Sequence, residues 1–213
     1  MFKDMIIYYQ TNGSYVMHQF LRHFLLSIYG VLFASLVAIP LGLYVAKKKK
    51  LSTVLIGFAN VLQTVPSLAM LAILMLAFGI GANTVIFAIF LYSLLPLLSN
   101  TVAGIRAVRP ELMDAAKGMG MTNMQIMKKV QLPLALSVIM GGVRNALVVA
   151  IGVAAIGTFI GAGGLGDIIS HGICVANGEG IILAGALPTA LMAVLADMIL
   201  GRFERFLANK VGA

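Results

Sequence analysis

The sequence predicts an all-α integral membrane protein with about five transmembrane helices, an amino terminus outside the cell and a carboxyl terminus inside. Hydrophobic residues fill 61% of the 213 positions and charged residues only 10%, which is typical of a bilayer-spanning chain. Residues 51–105 carry no charged side chain, enough for two crossings of about 20 residues each. Twelve basic residues fall on one side of a five-helix arrangement and only Lys3 and Arg22 on the other, so the positive-inside rule gives this orientation.

The first span is predicted at about 24–46, because this apolar run is too long for a signal-peptide core and ends at Lys47 to Lys50. Residues 1–20 are more polar, and their tyrosines suit a partly amphipathic helix at the outer membrane surface. His18 and His23 suit either metal binding or an ordinary interfacial position, and the pattern favours the interface.

The second and third spans, predicted at about 55–78 and 84–105, contain polar residues at a depth where lipid cannot satisfy them. Two interpretations stay open at this point. Either such residues line a translocation pathway, or they make hydrogen bonds between helices beside proline kinks. The candidate pathway residues are Gln63, Thr64, Pro66 and Ser67 in the second span and Asn100 in the third.

Residues 111–133 form the only substantial polar segment between the long apolar runs. Pro110 suits the first position of a helix, and Glu111 carries a carboxylate that favours its amino end. Gly118 and Gly120 then interrupt the helical pattern. The sequence therefore predicts a short amphipathic helix followed by a glycine bend.

A second short helix is predicted directly after this bend. Thr122 and Gln125 have the spacing of a capping box, in which each side chain bonds the backbone of the other residue. Pro133 should end or kink that helix, because proline lacks a backbone N–H.

The fourth span is predicted at about 134–160, with four glycines that let neighbouring helices approach closely, at positions 141, 142, 152 and 157. Arg144 is a charge inside this span, and it either places positive charge near the inner mouth of a pathway or serves packing. Asn145 beside it is a further candidate pathway residue.

The segment 161–166, GAGGLG, has the letters of a dinucleotide-binding GxGxxG motif but follows a membrane helix and opens no βαβ unit, which excludes that function. Four polar residues after it are candidate contacts for an external partner, or else belong to a solvated loop: Asp167, His171, Asn177 and Glu179. The fifth span is predicted at about 181–200, where Asp197 either pairs with Arg202 or lies among lipid headgroups.

The polar segment 111–133 resembles the EAA loop of permease subunits of type I ABC importers. The pattern of that loop is Glu-Ala-Ala, three residues, Gly, nine residues, then Ile-x-Leu-Pro. Asp for Glu and Val for Ile are the only departures here. The resemblance implies that 1–213 is one ABC transporter transmembrane domain and that 111–133, including Glu111, is a cytoplasmic coupling loop docking on a separate ATPase. The matching residues are Asp114, Ala115, Ala116, Gly120, Val130, Leu132 and Pro133.

Further segments look most like permeases of the osmoprotectant group, which import glycine betaine, carnitine or choline: QTVPSLA, DAAKGMG, VQLPLA and FIGAGGLG. This resemblance implies a multi-pass protein of a bacterial-type cytoplasmic membrane. It also implies three partners besides membrane lipid: a second permease, identical or paralogous, an ABC ATPase that binds ATP and Mg, and an extracytoplasmic substrate-binding protein.

Several function classes are excluded by what the sequence lacks. There is no GxxxxGK[ST], HExxH or GxSxG motif and no cluster of His and Cys, so we expect no catalytic residue, metal site or cofactor in this chain. Basic residues lie just outside apolar runs instead of along one face, which argues against nucleic-acid binding despite the net charge of +8. The single cysteine, Cys174, excludes an internal disulfide.

Three alternatives remain at this stage. A type I permease for methionine or another amino acid derivative is the nearest. A stand-alone secondary transporter or channel should show paired broken helices, intramembrane acids or repeats, and none is evident. The last is a membrane scaffold whose cytoplasmic loop binds some other partner.

Overall fold

The computed structural model describes residues 1–211, and this part of the chain is helical throughout, without a β-strand. Four helices are long and apolar enough to cross a membrane, and the bent pair α2 and α3 makes a fifth span if counted as one. The predicted all-α membrane fold is confirmed. The helices are α1 (Phe2–Val45), α2 (Lys49–Thr64), α3 (Ser67–Phe78), α4 (Ala82–Arg106), α5 (Pro110–Gly118), α6 (Asn123–Ile126), α7 (Leu132–Ile156), α8 (Leu165–Cys174) and α9 (Glu179–Val211).

Helix α1 differs from the predicted arrangement of a surface helix followed by a span at 24–46. It begins at Phe2, and only Asn12 has non-helical backbone angles, with φ −121° and ψ 20°. Val16, Gln19 and His23 are buried, whereas the side chains of residues 1–15 are exposed or only partly buried. The polar amino-terminal part is therefore joined to the apolar span through a kink at Asn12.

The predicted second span, 55–78, is divided by a bend of 100° between α2 and α3. Pro66 cannot donate a backbone hydrogen bond, and the residue before it, Val65, is extended with φ −66° and ψ 130°. The hydroxyl of Tyr92 on α4 donates to the Val65 carbonyl at 2.5 Å. A side chain from another helix thus satisfies a backbone group that the proline bend leaves free.

Helix α4 lies at the centre of the bundle and contacts α1, α2, α3 and α7. Glycines permit two of these contacts, because a Cβ built on Gly30 would lie 2.3 Å from Ile89 Cγ2 and one on Gly142 2.8 Å from the Pro96 carbonyl oxygen. The four glycines of the predicted fourth span differ: a Cβ on Gly157 would lie 2.6 Å from Val85 Cγ2 of α4, whereas one on Gly152 would have no atom within 4 Å. The positions of the glycines in the sequence therefore do not show which of them lie at a close contact between helices.

The carboxyl ends of α1 and α4 meet at one end of the molecule. Arg106 donates from Nε to the Ala46 carbonyl at 2.8 Å and from Nη2 to Ser52 Oγ at 2.6 Å, joining α4 to both sides of the α1–α2 turn. This end also carries α5 and α6, and we call it the loop end. At the opposite end, the α8 end, the hydroxyl of Tyr9 donates to the Ala184 carbonyl at 3.0 Å and joins α1 to α9.

Candidate functional site

The first helix of the candidate coupling loop forms as predicted. Helix α5 has Pro110 in its first turn and the carboxylate of Glu111 beside it, where the partial positive charge of the helix dipole favours an anion. Asp114 pairs with Lys117 at 3.2 Å, but both side chains are more than half exposed, so this pair adds little to stability.

The glycine bend that follows α5 is a Schellman motif. The Met121 N–H donates to the Ala116 carbonyl at 3.1 Å, and the Gly120 N–H donates to the Lys117 carbonyl at 2.9 Å. Gly120 has a φ of +75°, in the left-handed region that glycine adopts without a Cβ clash. The carbonyls at the end of α5 are therefore satisfied within the loop itself.

The predicted capping box is confirmed. The Gln125 N–H donates to Thr122 Oγ1 at 3.3 Å, and the Thr122 N–H donates to Gln125 Oε1 at 2.8 Å. This box starts α6 only two residues after Gly120. The Schellman motif and the capping box together fix the bend without help from the rest of the chain.

Pro133 does not end the second loop helix. Helix α6 continues through a π-helical turn, Met127–Gln131, into α7, so 123–160 is one continuous helix. Because Pro133 cannot donate to the Lys129 carbonyl and its ring would clash there, the wider turn before it accommodates the proline. The candidate coupling loop is thus joined to a membrane span by a continuous helix.

Some of the EAA-like residues are exposed at the surface of the loop, and others are buried or partly buried. Ala116 is only 1% exposed, whereas its neighbour Ala115 is exposed. Two methionines that sequence reasoning missed are among the most exposed apolar residues, Met119 at 74% and Met124 at 64%. The exposed predicted residues are Glu111, Asp114, Ala115 and Gly120, and the partly buried ones are Val130, Leu132 and Pro133.

A groove of about 790 Å³ lies at the base of the loop, between the carboxyl end of α4 and the start of α7. Arg109 and Lys129 line it together with apolar side chains, among them Leu112 and Val138. Its lining residues in the described structure include no acid, so the groove carries positive charge only.

The candidate pathway residues lie in two separate regions. Gln63, Thr64, Pro66 and Ser67 surround the bend between α2 and α3, and Gln63 Nε2 reaches the Tyr92 carbonyl at 3.5 Å. Asn100 donates to the Pro96 carbonyl at 2.8 Å, a bond within α4 and not between helices. Asn145 is exposed on α7. Among the hydrogen bonds of residues 1–211, none joins the bend to Arg144 or Asn145.

Arg144 is part of an ion-pair cluster between α7 and α9. It donates to both carboxylate oxygens of Asp197, at 2.5 and 2.8 Å, and to Glu204 Oε2 at 3.3 Å. Asp197 therefore pairs with Arg144 instead of Arg202, and Arg144 does not present a free positive charge. Helix crossing decides this pairing, because the partners lie 53 and 60 positions apart.

The candidate external contacts lie at the α8 end. Asp167 and His171 line a cavity of about 630 Å³ between α1 and α8, whereas Asn177 and Glu179 do not line it. Asn177 lies in the exposed turn before α9 and has a φ of +57°. The four predicted residues therefore share one end of the molecule but not one site.

Helix α1 holds the start of α8 through two side chains that sequence reasoning did not assign. Gln19 Oε1 accepts from the Gly164 N–H at 2.6 Å, and His23 Nδ1 accepts from the Leu165 N–H at 3.2 Å. The other ring nitrogen, Nε2, then donates to the Ile151 carbonyl at 3.0 Å. His23 is fully buried and not interfacial, and within residues 1–211 no three His, Cys, Asp or Glu side chains are placed to hold a metal ion.

The fold and the loop together define a multi-pass membrane component of a transport system. A family model described as "Binding-protein-dependent transport system inner membrane component" matches residues 38–209. The chain belongs to that family, and it is therefore a multi-pass protein of the cell membrane.

Curated relatives are similar in sequence to this chain over nearly its whole length. The carnitine transport permease protein OpuCD of Listeria monocytogenes is 62% identical over 205 residues, covering 96% of this chain and 92% of its own length. The glycine betaine/carnitine/choline transport system permease protein OpuCD of Bacillus subtilis is 58% identical, covering 94% and 88%. The choline transport system permease protein OpuBD of the same organism is 55% identical, covering 97% and 91%.

Solved structures share the fold at lower identity. The MetNI methionine ABC transporter in an inward-facing conformation has a chain with a TM-score of 0.80 and 21% identity, covering 90% of this chain and 95% of that one. A chain of an amino acid ABC transporter solved with histidines gives a TM-score of 0.76 at 22% identity, covering 96% and 98%. At this identity the similarity concerns the fold alone.

Proposed function

We propose that this chain is the permease subunit of an ABC importer for quaternary ammonium compatible solutes such as carnitine, glycine betaine or choline. The observation that carries the proposal is the identity of 55 to 62% with permeases named for these solutes, spread over at least 94% of this chain. The amino acid transporters among the structural neighbours share only 21 to 22% identity, so they do not favour an amino acid as the solute.

The coupling loop is proposed to transmit the motion of a separate ATPase, which binds ATP and Mg, to the membrane spans. Its exposed face combines carboxylates, a small alanine and two exposed methionines, which suits docking into a cleft on a protein partner. Since α6 continues into α7 without a break, a displacement of the loop moves α7 directly. This continuity supports a lever role for the loop.

The remaining partners follow from the same proposal. A second permease, identical or paralogous, completes the translocation pathway, and an extracytoplasmic binding protein delivers the solute to the α8 end. Twelve basic residues belong to the loop end by helix direction, while Lys3 and Arg22 belong to the α8 end. This asymmetry supports a cytoplasmic loop end and an outward-facing α8 end.

The proposal is tested by uptake of radiolabelled carnitine, glycine betaine and choline in cells that carry this chain with its partner subunits. Ala115→Arg should lower uptake at least tenfold and release the ATPase on purification, while the permease stays folded, because Ala115 is exposed. Thr53→Arg, an exposed position on α2 at the loop end, is the matched control and should transport normally. Normal uptake by Ala115→Arg, or labelling of Thr122→Cys only from outside the cell, contradicts the proposal.

A further inference from the structure

The cavity between α1 and α8 combines aromatic rings with one carboxylate. Tyr8 and Tyr15 line it from α1, and Asp167 lines it from the first turn of α8. Its volume of about 630 Å³ lies within the range of small-molecule sites, about 300–1,000 Å³. It is a space large enough for an organic ligand, at the end of the molecule opposite the coupling loop.

The carboxylate in this cavity is held in place by two hydroxyl groups from different elements. The Tyr15 hydroxyl donates to Asp167 Oδ2 at 2.5 Å, and Thr158 Oγ1 donates to Asp167 Oδ1 at 3.1 Å. Neither donor is charged, so the negative charge of Asp167 is oriented but not neutralised. Each carboxylate oxygen also keeps a lone pair available for a further contact.

The charge of the lining distinguishes this cavity from the groove at the loop end. No lysine or arginine occurs among the described residues that line it, and with His171 neutral the lining carries a single negative charge, from Asp167. The groove at the loop end has the opposite character, with Arg109 and Lys129 and no acid among its described lining residues. A cation is thus the ligand that complements the cavity.

The chemistry of the lining also limits the kind of cation. Hard metal ions are usually held by several carboxylates, whereas this cavity offers one carboxylate, and its other side-chain oxygens belong to the neutral Tyr8, Tyr15, Asn12 and Ser170. Asp167, His171 and Cys174 lie on one face of α8, yet within residues 1–211 no such trio is placed to hold a metal. Aromatic faces next to a negative charge suit a large, weakly hydrated organic cation.

We propose that this cavity binds the trimethylammonium group of the solute, with Tyr8 and Tyr15 contacting the methyl groups and Asp167 balancing the positive charge. The inference rests on the proposed function for its ligand class. It places a low-affinity binding site on the permease itself, at the end where solute arrives. A trimethylammonium group can also come from a phosphocholine lipid headgroup, and the experiment separates the two sources.

Binding is measured on the intact assembly without its binding protein, in nanodiscs of phosphatidylglycerol and phosphatidylethanolamine, by saturation-transfer NMR. The probes are choline and its uncharged carbon isostere, 3,3-dimethyl-1-butanol, which differ in charge but hardly in shape. Choline should bind about tenfold more tightly than the isostere, the size of a partly desolvated cation–π contact. Equal affinity for the two probes would overturn the proposal.

Variants assign the binding to the cavity. Asp167→Asn, Tyr8→Leu and Tyr15→Leu should each weaken choline binding about tenfold, while Tyr15→Phe keeps the ring and should weaken it less. Tyr44→Leu, an exposed tyrosine at the loop end, is the matched control. If Asp167→Asn binds choline normally but loses uptake, Asp167 is a docking residue for the binding protein and the proposed site is wrong.

Two further measurements are needed. One distinguishes the solute from a lipid headgroup as the source of the trimethylammonium group, and the other distinguishes the proposed site from the proposed function. Competition by phosphatidylcholine added to the nanodiscs identifies a lipid headgroup as an occupant of the same trimethylammonium site, and absence of competition supports the solute alone. Wild-type uptake in cells tests the proposed function by itself. Choline binding without uptake leaves the site standing and contradicts the function, whereas uptake without choline binding contradicts only the site.

Discussion

Both ends of the molecule carry a glycine turn that leads into a helix, but the two turns satisfy their backbone groups differently. At the loop end, the bend at Gly120 is closed by bonds between residues at most five positions apart. At the α8 end, the amides of Gly164 and Leu165 bond to Gln19 and His23, more than 140 positions earlier in the chain. The first turn is closed by local hydrogen bonds, whereas the second adds to its local bonds at Gly161 and Ala162 two bonds to side chains of a distant helix.

This difference has a functional counterpart. A locally stabilised bend keeps its shape while a partner pushes it, which suits a loop proposed to transmit motion. A turn held by a distant helix links the position of α8 to that of α1, so the two move together or the capping bonds break. Substitutions at the two turns should therefore have effects of different size and extent.

The largest effect is expected for His23→Leu. The change leaves the buried Leu165 N–H without a partner and removes the bond from His23 Nε2 to the Ile151 carbonyl, which should lower the free energy of unfolding by about 2–4 kcal/mol. Thermal unfolding of the purified protein in detergent measures this loss. His18→Leu, at an exposed position, should change little. Equal stability of the two variants would show that α8 does not depend on α1.

The next comparison uses one substitution at both turns. Gly164→Ala places a Cβ 3.1 Å from His23 Nδ1, at a φ of +90° and ψ of −177° that essentially only glycine adopts, and should cost about 1–3 kcal/mol. Gly120→Ala meets the same kind of strain at a φ of +75° but has open space around it, and should cost about 1–2 kcal/mol.

Unfolding in detergent ranks the two variants. A larger loss at Gly120 than at Gly164 would contradict the distinction between a local and a tertiary turn. Gly118→Ala serves as the control, because a Cβ there has no atom within 4 Å and the residue is helical.

The smallest and most local effect is expected for Thr122→Ala. Loss of the side-chain cap should destabilise the start of α6 by about 1 kcal/mol, without changing the rest of the bundle. Hydrogen exchange should show faster exchange of the α6 amides alone. Thr53→Ala removes an exposed threonine whose hydroxyl bonds only within its own helix, and should leave exchange unchanged. Faster exchange throughout α7 would mean that the capping box stabilises more than the loop.

Local signals predicted the fold and part of the candidate site. The apolar runs indicated the spans, and Pro110, Gly120, Thr122 and Gln125 gave the helix start, the bend and the capping box, because each acts on backbone groups within a few residues. The same local logic predicted an end or a kink at Pro133, where the helix does not end but continues through a wider π-helical turn. It also placed Ala115 and Ala116 together, although only one of them is exposed.

The sequence by itself determined the membrane class, the helical content and the bent two-helix shape of the loop at 110–126, because hydropathy and capping depend on neighbours along the chain. Only the tertiary structure decided the partners of polar side chains at the contacts between helices: Arg144 with Asp197 and Glu204, His23 with α7 and α8, and Tyr15 with Asp167. The physical reason is that a polar side chain inside the bundle must find its partner across a helix interface. Helix packing decides which partner it finds, and the spacing of residues in the sequence does not.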